Sequence, residues 1–163
     1  MTSIAQPLKD RLLERAAFVR RTALEMAVRA KAGHVTTAFS QAEMLCYLHY
    51  AFLRLDPKDP KWAGRDRFIL SKGQGGMGLY PILSDLGFFP WDHVENYTGK
   101  GSLLGVHAEW NIPGVEVLTG SLGHGLPIGT GMAWAARRAG LGHLVIVMLG
   151  DAELYEGSNW EAM

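Results

Sequence analysis

Leu8, Leu12, Ala16, Val19, Ala23, Met26 and Ala30 recur at spacings of three and four, which predicts an amphipathic helix of about 25 residues. Lys9, Arg11, Arg20, Arg21 and Arg29 stay off that stripe and read as its solvated face. Gly33 is placed to end the helix, leaving His34 in the following loop, where the helix dipole alone could favour it. Ser40 to Glu43 has the form of a capping box opening a second amphipathic helix through Met44, Leu45, Leu48, Ala51 and Phe52. Asp56-Pro57 and Asp59-Pro60 break that pattern. Arg67 to Ser71 predicts a short strand, and a glycine-rich turn leads into a helix through Leu79, Ile82, Leu83 and Leu86.

Further on, Ile112 to Leu118 reads as a turn and a short strand. The Gly120 to Pro127 stretch opens a helix running to about Ala139, with Gly140 as its stop. Gly125, Gly129 and Ala133 fall four apart, so one face of this helix is almost bare and something must approach it closely: a neighbouring helix, or a flat ring over the loop at its start. Leu144 to Leu149 is an unbroken apolar run, the pattern of a strand buried on both faces. The expected class is α/β, a parallel sheet flanked by helices in a single domain spanning 1–163.

Asp151 falls where the last strand gives out, at the sheet edge where ligands bind in open parallel sheets. A carboxylate there is a hard ligand suited to Mg²⁺ holding a phosphorylated cofactor. By residue type alone Asp151 can equally cap a turn, and Glu153, Glu156 and Glu161 can be a solvated helical turn. Gly73 to Gly78 is formally a GxGxxG loop after a strand, but Phe88 to Glu95 has helical spacing and a proline where a dinucleotide fold needs its second strand. The glycines then serve tight packing, and a Rossmann oxidoreductase is the third-ranked reading.

The 163 residues suffice for one core, and sixteen basic residues balance sixteen acidic ones, which argues against a nucleic-acid or anionic-membrane partner driven by electrostatics. Cys46 is the single cysteine, so no internal disulfide forms and a reducing, cytoplasmic setting is expected. The N-terminal stretch carries charges and no apolar core, and reads as neither signal peptide nor membrane span.

Four blocks in order resemble the N-terminal, diphosphate-binding half of the transketolase family. Ala32-Gly33-His34 resembles the family's SGH loop. Asp56 to Trp62 and Arg65 to Gly73 resemble its DPxxPxWxxRDRFxLSxGH block. His107-Ala108-Glu109, Pro113 to Glu116 and Thr119 to Gly125 are similar to HPE…PGVE…TGxLGxG, and Gly150 to Glu153 with Glu156 to Ala162 to GDGE…EGxxxEA. The resemblance implies thiamine diphosphate and Mg²⁺ as cofactors, bound between this half and a pyrimidine-binding C-terminal half or subunit, in a dimer or heterotetramer. It implies transfer of a two-carbon ketol unit between sugar phosphates. Asp151 would be the metal ligand, Ala152 would offer its N–H to the diphosphate, and Leu122, held by Gly120 and Gly123, would lie against the cofactor ring. His34 and His107 would face the substrate, and Glu156, a further catalytic-site residue, would sit with Glu161 at the interface of the two halves.

Gln74 stands where the family normally has histidine at the phosphate, and Ala152 replaces the second glycine of GDG. The chain stops at Met163, twelve residues after Asp151, short of the asparagine that closes the family's motif on the next strand; Asn159 is too near Asp151 to take that role. The expectation is a fold incomplete at its C-terminus and a fragment inactive without a partner. The alternative is a non-catalytic remnant or interaction module.

Overall fold

The computed structural model describes residues 5–163; part of the N-terminal stretch read above as neither leader nor span lies outside them. Helix α1, Gln6–Ala30, forms over the predicted stripe, with Leu12, Ala16, Val19, Ala23 and Met26 buried. Lys31, not Gly33, takes the left-handed cap at φ 52°. Gly33 has φ +107° for another reason: a Cβ there would lie 2.2 Å from Met77 Sδ. Two arginines of this solvated face also serve as tie points. Arg20 bonds the Glu43 carboxylate at 2.6 Å, and Arg29 donates to the Glu95 carbonyl.

Helices α2, Val35–Ser40, and α3, Ala42–Tyr47, follow with only Gln41 between them. The expected capping box does not form. Ser40 Oγ donates back to Thr37 O at 3.0 Å, and Glu43 is drawn to Arg20, because the chain reaches α3 already helical and no open N-terminus remains to cap. A π-turn over Leu48–Phe52 ends this segment; Met44 and Phe52 face outward while Leu45 and Cys46 are buried. Burial pushes the Cys46 thiol up to about 12, the state of a small core residue.

Strands β1, Arg67–Leu70, and β2, Val145–Met148, pair in parallel with Arg67 opposite Val145 and Leu70 opposite Met148. Between them run α4, Gly76–Leu86, α5, Asp92–Glu95, and α6, Gly125–Arg138. Phe68, Leu70 and Met148 join a core with α1, α3 and α4, while Ile69, Val145 and Val147 face α6. Gly129, on the bare face of α6, therefore packs against the sheet rather than against a helix, while Ala133 on the same face is exposed. A Cβ on Gly129 would stand 2.4 Å from Val147 Cγ2. Because α5 occupies the place of a second Rossmann strand, the dinucleotide reading fails.

Two strand expectations are corrected. Val115 to Leu118 forms no ladder; its segment is tied by side chains, Arg65 to Glu116 at 2.8 Å and Thr119 Oγ1 to Leu70 O at 2.7 Å. β2 packs on both faces but is only half-buried, because one of its edges is open. Leu144 is 48% exposed, and Ile146 to Leu149 with Met44, Tyr47 and Leu48 line an open apolar groove that no described element covers.

The strands are clamped at their amino ends by Asp66, whose side chain is 1% exposed. It accepts from Arg54 Nη2 at 2.7 Å and from the N–H groups of Arg54 and Leu144, each at 2.8 Å. Burial alone would raise this carboxyl, but the guanidinium and the two N–H groups hold it down at about 2. The Asp66→Asn variant should lose about 2 kcal/mol of stability near neutral pH. Since the folded-state value lies below the ordinary 3.8, the contribution is complete above that pH and disappears as pH falls towards 2. Thermal melts of variant and wild type should therefore converge in that window; a constant gap would contradict the clamp.

Candidate cofactor site at the carboxyl end of the sheet

Three loops meet where the two strands end. The first leaves β1 at Ser71 and turns through Gly73–Gly75 into α4, carrying Lys72 and Gln74. The second, Thr119 to His124, leads into α6. The third leaves β2 at Leu149, passes Asp151 and makes a 3₁₀ turn over Ala152–Tyr155 before α7, Gly157–Ala162. A parallel sheet forces this convergence, since both strands point their carboxyl ends the same way.

A cavity of about 250 Å³ opens there, lined by Lys72, Gln74, Leu122, Asp151 and Ala152 together with Thr36, Thr37 and Ser40 from α2. That is smaller than a site for a whole organic cofactor, and fits one polar end of a longer cleft. Asp151 is exposed and makes no side-chain cap of the turn it precedes, so the capping alternative fails. Ala152 is the first residue of that turn, where an N–H has no partner within it.

The loops are locked by close approaches. A Cβ on Gly73 would fall 2.3 Å from Thr119 O, and one on Gly120, at φ +136°, would fall 2.6 Å from His107 Cδ2. Gly123, at φ +80°, leaves a Cβ only 2.5 Å from Glu156 Cβ. His34 opens α2 and brings its ring centroid 6.4 Å from that of His107. His107, Gly120 and His124 line a second, adjoining cavity. Glu161 stands apart, in a surface depression with Gly123, His124 and Ser158, and Glu156 is exposed at the start of α7.

Two polar groups escaped the sequence reading. Glu153, expected among solvated glutamates, is 1% exposed and accepts from donors on all three loops. Lys72 lines the cavity with its stem along Gly150, and only its place beside Gln74 could have flagged it. Asn159 is buried, donating to Glu153 O at 2.6 Å, and does not line the cavity with Asp151.

These residues suit a diphosphate. Lys72 brings positive charge, the Ala152 N–H a donor, and Gln74 a buried amide oxygen without a hydrogen-bond partner. Oxygen and nitrogen of that amide exchange by a half-turn, which would present a donor to an anionic oxygen. Among the described residues no cluster of three or more histidine, cysteine or acidic side chains could hold a metal, so a cation at Asp151 would need further ligands of other kinds.

An α/β fold with a polar cleft at the carboxyl end of its sheet marks a ligand-binding domain, and comparison with known proteins gives the family. The family described as "Transketolase, thiamine diphosphate binding domain" matches residues 13–163, and the chain belongs to it. The chain is 41% identical over 155 residues to an apulose-4-phosphate transketolase subunit of Actinobacillus succinogenes, covering 94% of this chain and 56% of that protein. It is 36% identical over 152 residues to the 6-deoxy-6-sulfo-D-fructose transketolase subunit SqwG of a Clostridium species, covering 93% and 55%. The crystal structure of transketolase from Campylobacter jejuni superposes with a TM-score of 0.88 at 32% identity, over 93% of this chain and 25% of that one. The chain thus spans little more than half the length of these curated relatives. No helix among the described residues is long and apolar enough to cross a membrane.

Proposed function

We propose that residues 1–163 form the N-terminal, diphosphate-binding part of a thiamine-diphosphate- and Mg²⁺-dependent transketolase. The observation that carries this reading is the meeting of Lys72, Gln74, Leu122, Asp151 and Ala152 in one cavity at the carboxyl end of a parallel sheet. Asp151 would ligate the metal, while Lys72, Gln74 and the Ala152 N–H would hold the diphosphate. Leu122, kept in its loop by Gly120 and Gly123, would support the ring. When bound, the cofactor would supply the carbanion chemistry.

The neighbouring rings of His34 and His107 suit a substrate-facing role, binding sugar hydroxyls and relaying protons. Glu156, exposed beside Gly123, is placed to meet a pyrimidine-binding domain, with Glu161 further along the same surface. That domain would come from another stretch of polypeptide or from a separate subunit, in a dimer or heterotetramer; relatives named as transketolase subunits support the second arrangement. The substrates would be a ketose phosphate donor and an aldose phosphate acceptor, in a cytoplasmic enzyme.

The test is an assay of ketol transfer between such a pair by the chain assembled with its pyrimidine-binding part, product ketose being measured by mass. Turnover that needs both parts and the cofactor supports the reading. A stable assembly with neither turnover nor cofactor binding would make the chain the non-catalytic remnant.

A further inference from the structure

We propose that Glu153 is a positioning residue for this site, a buried carboxylate that sets the spacing of the three loops by accepting one donor from each. The inference rests on the proposed cofactor function. Ser71 Oγ at the end of β1 donates to Glu153 Oε1, and the Gly123 N–H, on the loop entering α6, donates to the same oxygen at 2.9 Å. The Gly150 N–H after β2 donates to Oε2 at 3.0 Å. Ser71 Oγ in turn accepts from the Gly125 N–H at 3.1 Å, so its own proton is directed at the carboxylate. A fourth link runs through the backbone, where Glu153 O accepts from Asn159 in α7.

Each donor is the chain neighbour of a group that lines the cavity. Lys72 follows Ser71, Leu122 precedes Gly123, and Asp151 follows Gly150. Fixing the three donors on one carboxylate therefore fixes the relative positions of the charge, the ring support and the metal ligand. No described ion pair involves Glu153; its partners are one hydroxyl and two backbone N–H groups. Burying so polar a side chain is an expensive way to stabilise a fold when an apolar residue could fill the space. Such an arrangement is retained where it holds a site in shape.

Glutamine at this position keeps size and shape but has one acceptor oxygen, so its NH₂ would face an N–H or hydroxyl donor and splay one loop. In the assembled enzyme, Glu153→Gln should raise the apparent KM for thiamine diphosphate by about ten-fold or more. At saturating cofactor kcat should stay within about two-fold. Ser71→Ala, which deletes one of the three donors, should give a smaller rise in the same direction, and the double variant should show less than the combined effect of the two. A purely structural role would lower the melting temperature and the active fraction while leaving KM unchanged. A folded Glu153→Gln enzyme with wild-type KM and wild-type calorimetric affinity would overturn the proposal. Should that variant fail to fold, an unchanged KM in Ser71→Ala overturns it instead. If the wild-type assembly itself binds no cofactor, the functional reading falls and takes this inference with it; wild-type binding with unaffected variants removes only the inference.

Discussion

Asp151→Asn should weaken Mg²⁺-dependent binding of thiamine diphosphate by about 100-fold or more while leaving the melting temperature of the cofactor-free protein unchanged. The two halves of that expectation have separate grounds. Asp151 is exposed, caps no turn with its side chain, and precedes a 3₁₀ turn whose backbone bonds do not use its carboxylate. Asparagine can adopt the same φ of −62° without strain, so the fold has no stake in the charge. The metal does. With no three-residue cluster of metal-binding side chains among the described residues, one lost carboxylate removes the anionic anchor this chain offers at the cavity. Calorimetric titration of the assembled variant with and without Mg²⁺ measures the effect. Wild-type affinity in the variant would show that Asp151 holds no metal.

A second large effect is expected at Gly73. Its missing Cβ would lie 2.3 Å from the oxygen and 2.4 Å from the carbonyl carbon of Thr119, both backbone atoms. Thr119 cannot yield easily, because its hydroxyl is bonded to Leu70 O at the end of β1. Gly73→Ala must therefore push apart the loop bearing Gln74 and the loop bearing Leu122. The expected cost is about 3 kcal/mol, which in a chain of this size lowers the melting temperature by roughly 6–12 °C. Cofactor affinity should fall with it. Gly131→Ala is the control: on an exposed turn of α6, with nothing within 4 Å of the new methyl, it should gain about 0.5–1 kcal/mol. Equal melting temperatures for the two variants would refute the locked-loop account.

Much of this was legible along the chain wherever a short-range pattern decided the outcome. The three-and-four spacing that predicted α1 is the set of residues it buries, and the apolar runs became β1 and β2. Four ordered blocks placed the chain in its family, whose domain model covers residues 13–163. The failures share a physical cause, namely partners distant in sequence. Glu153 is buried because its acceptors are met by Ser71, 82 positions away, and Gly123, 30 away, which no local window reveals. Glu43 left its capping box for Arg20 on another helix, and Gly129 on the bare face of α6 found a strand rather than a helix. Val115 to Leu118 has strand-like residues, yet side-chain ties to Arg65 and Leu70 hold the segment without a ladder.

The central claim is that this chain contributes the metal-and-diphosphate half of a thiamine diphosphate site. Its most direct test is isothermal titration of thiamine diphosphate into the chain assembled with its pyrimidine-binding part, in Mg²⁺ and again in a chelator. The account predicts saturable binding of one cofactor per chain in Mg²⁺, with the heat lost in the chelator. An assembly that forms but takes up no cofactor in Mg²⁺ would contradict it.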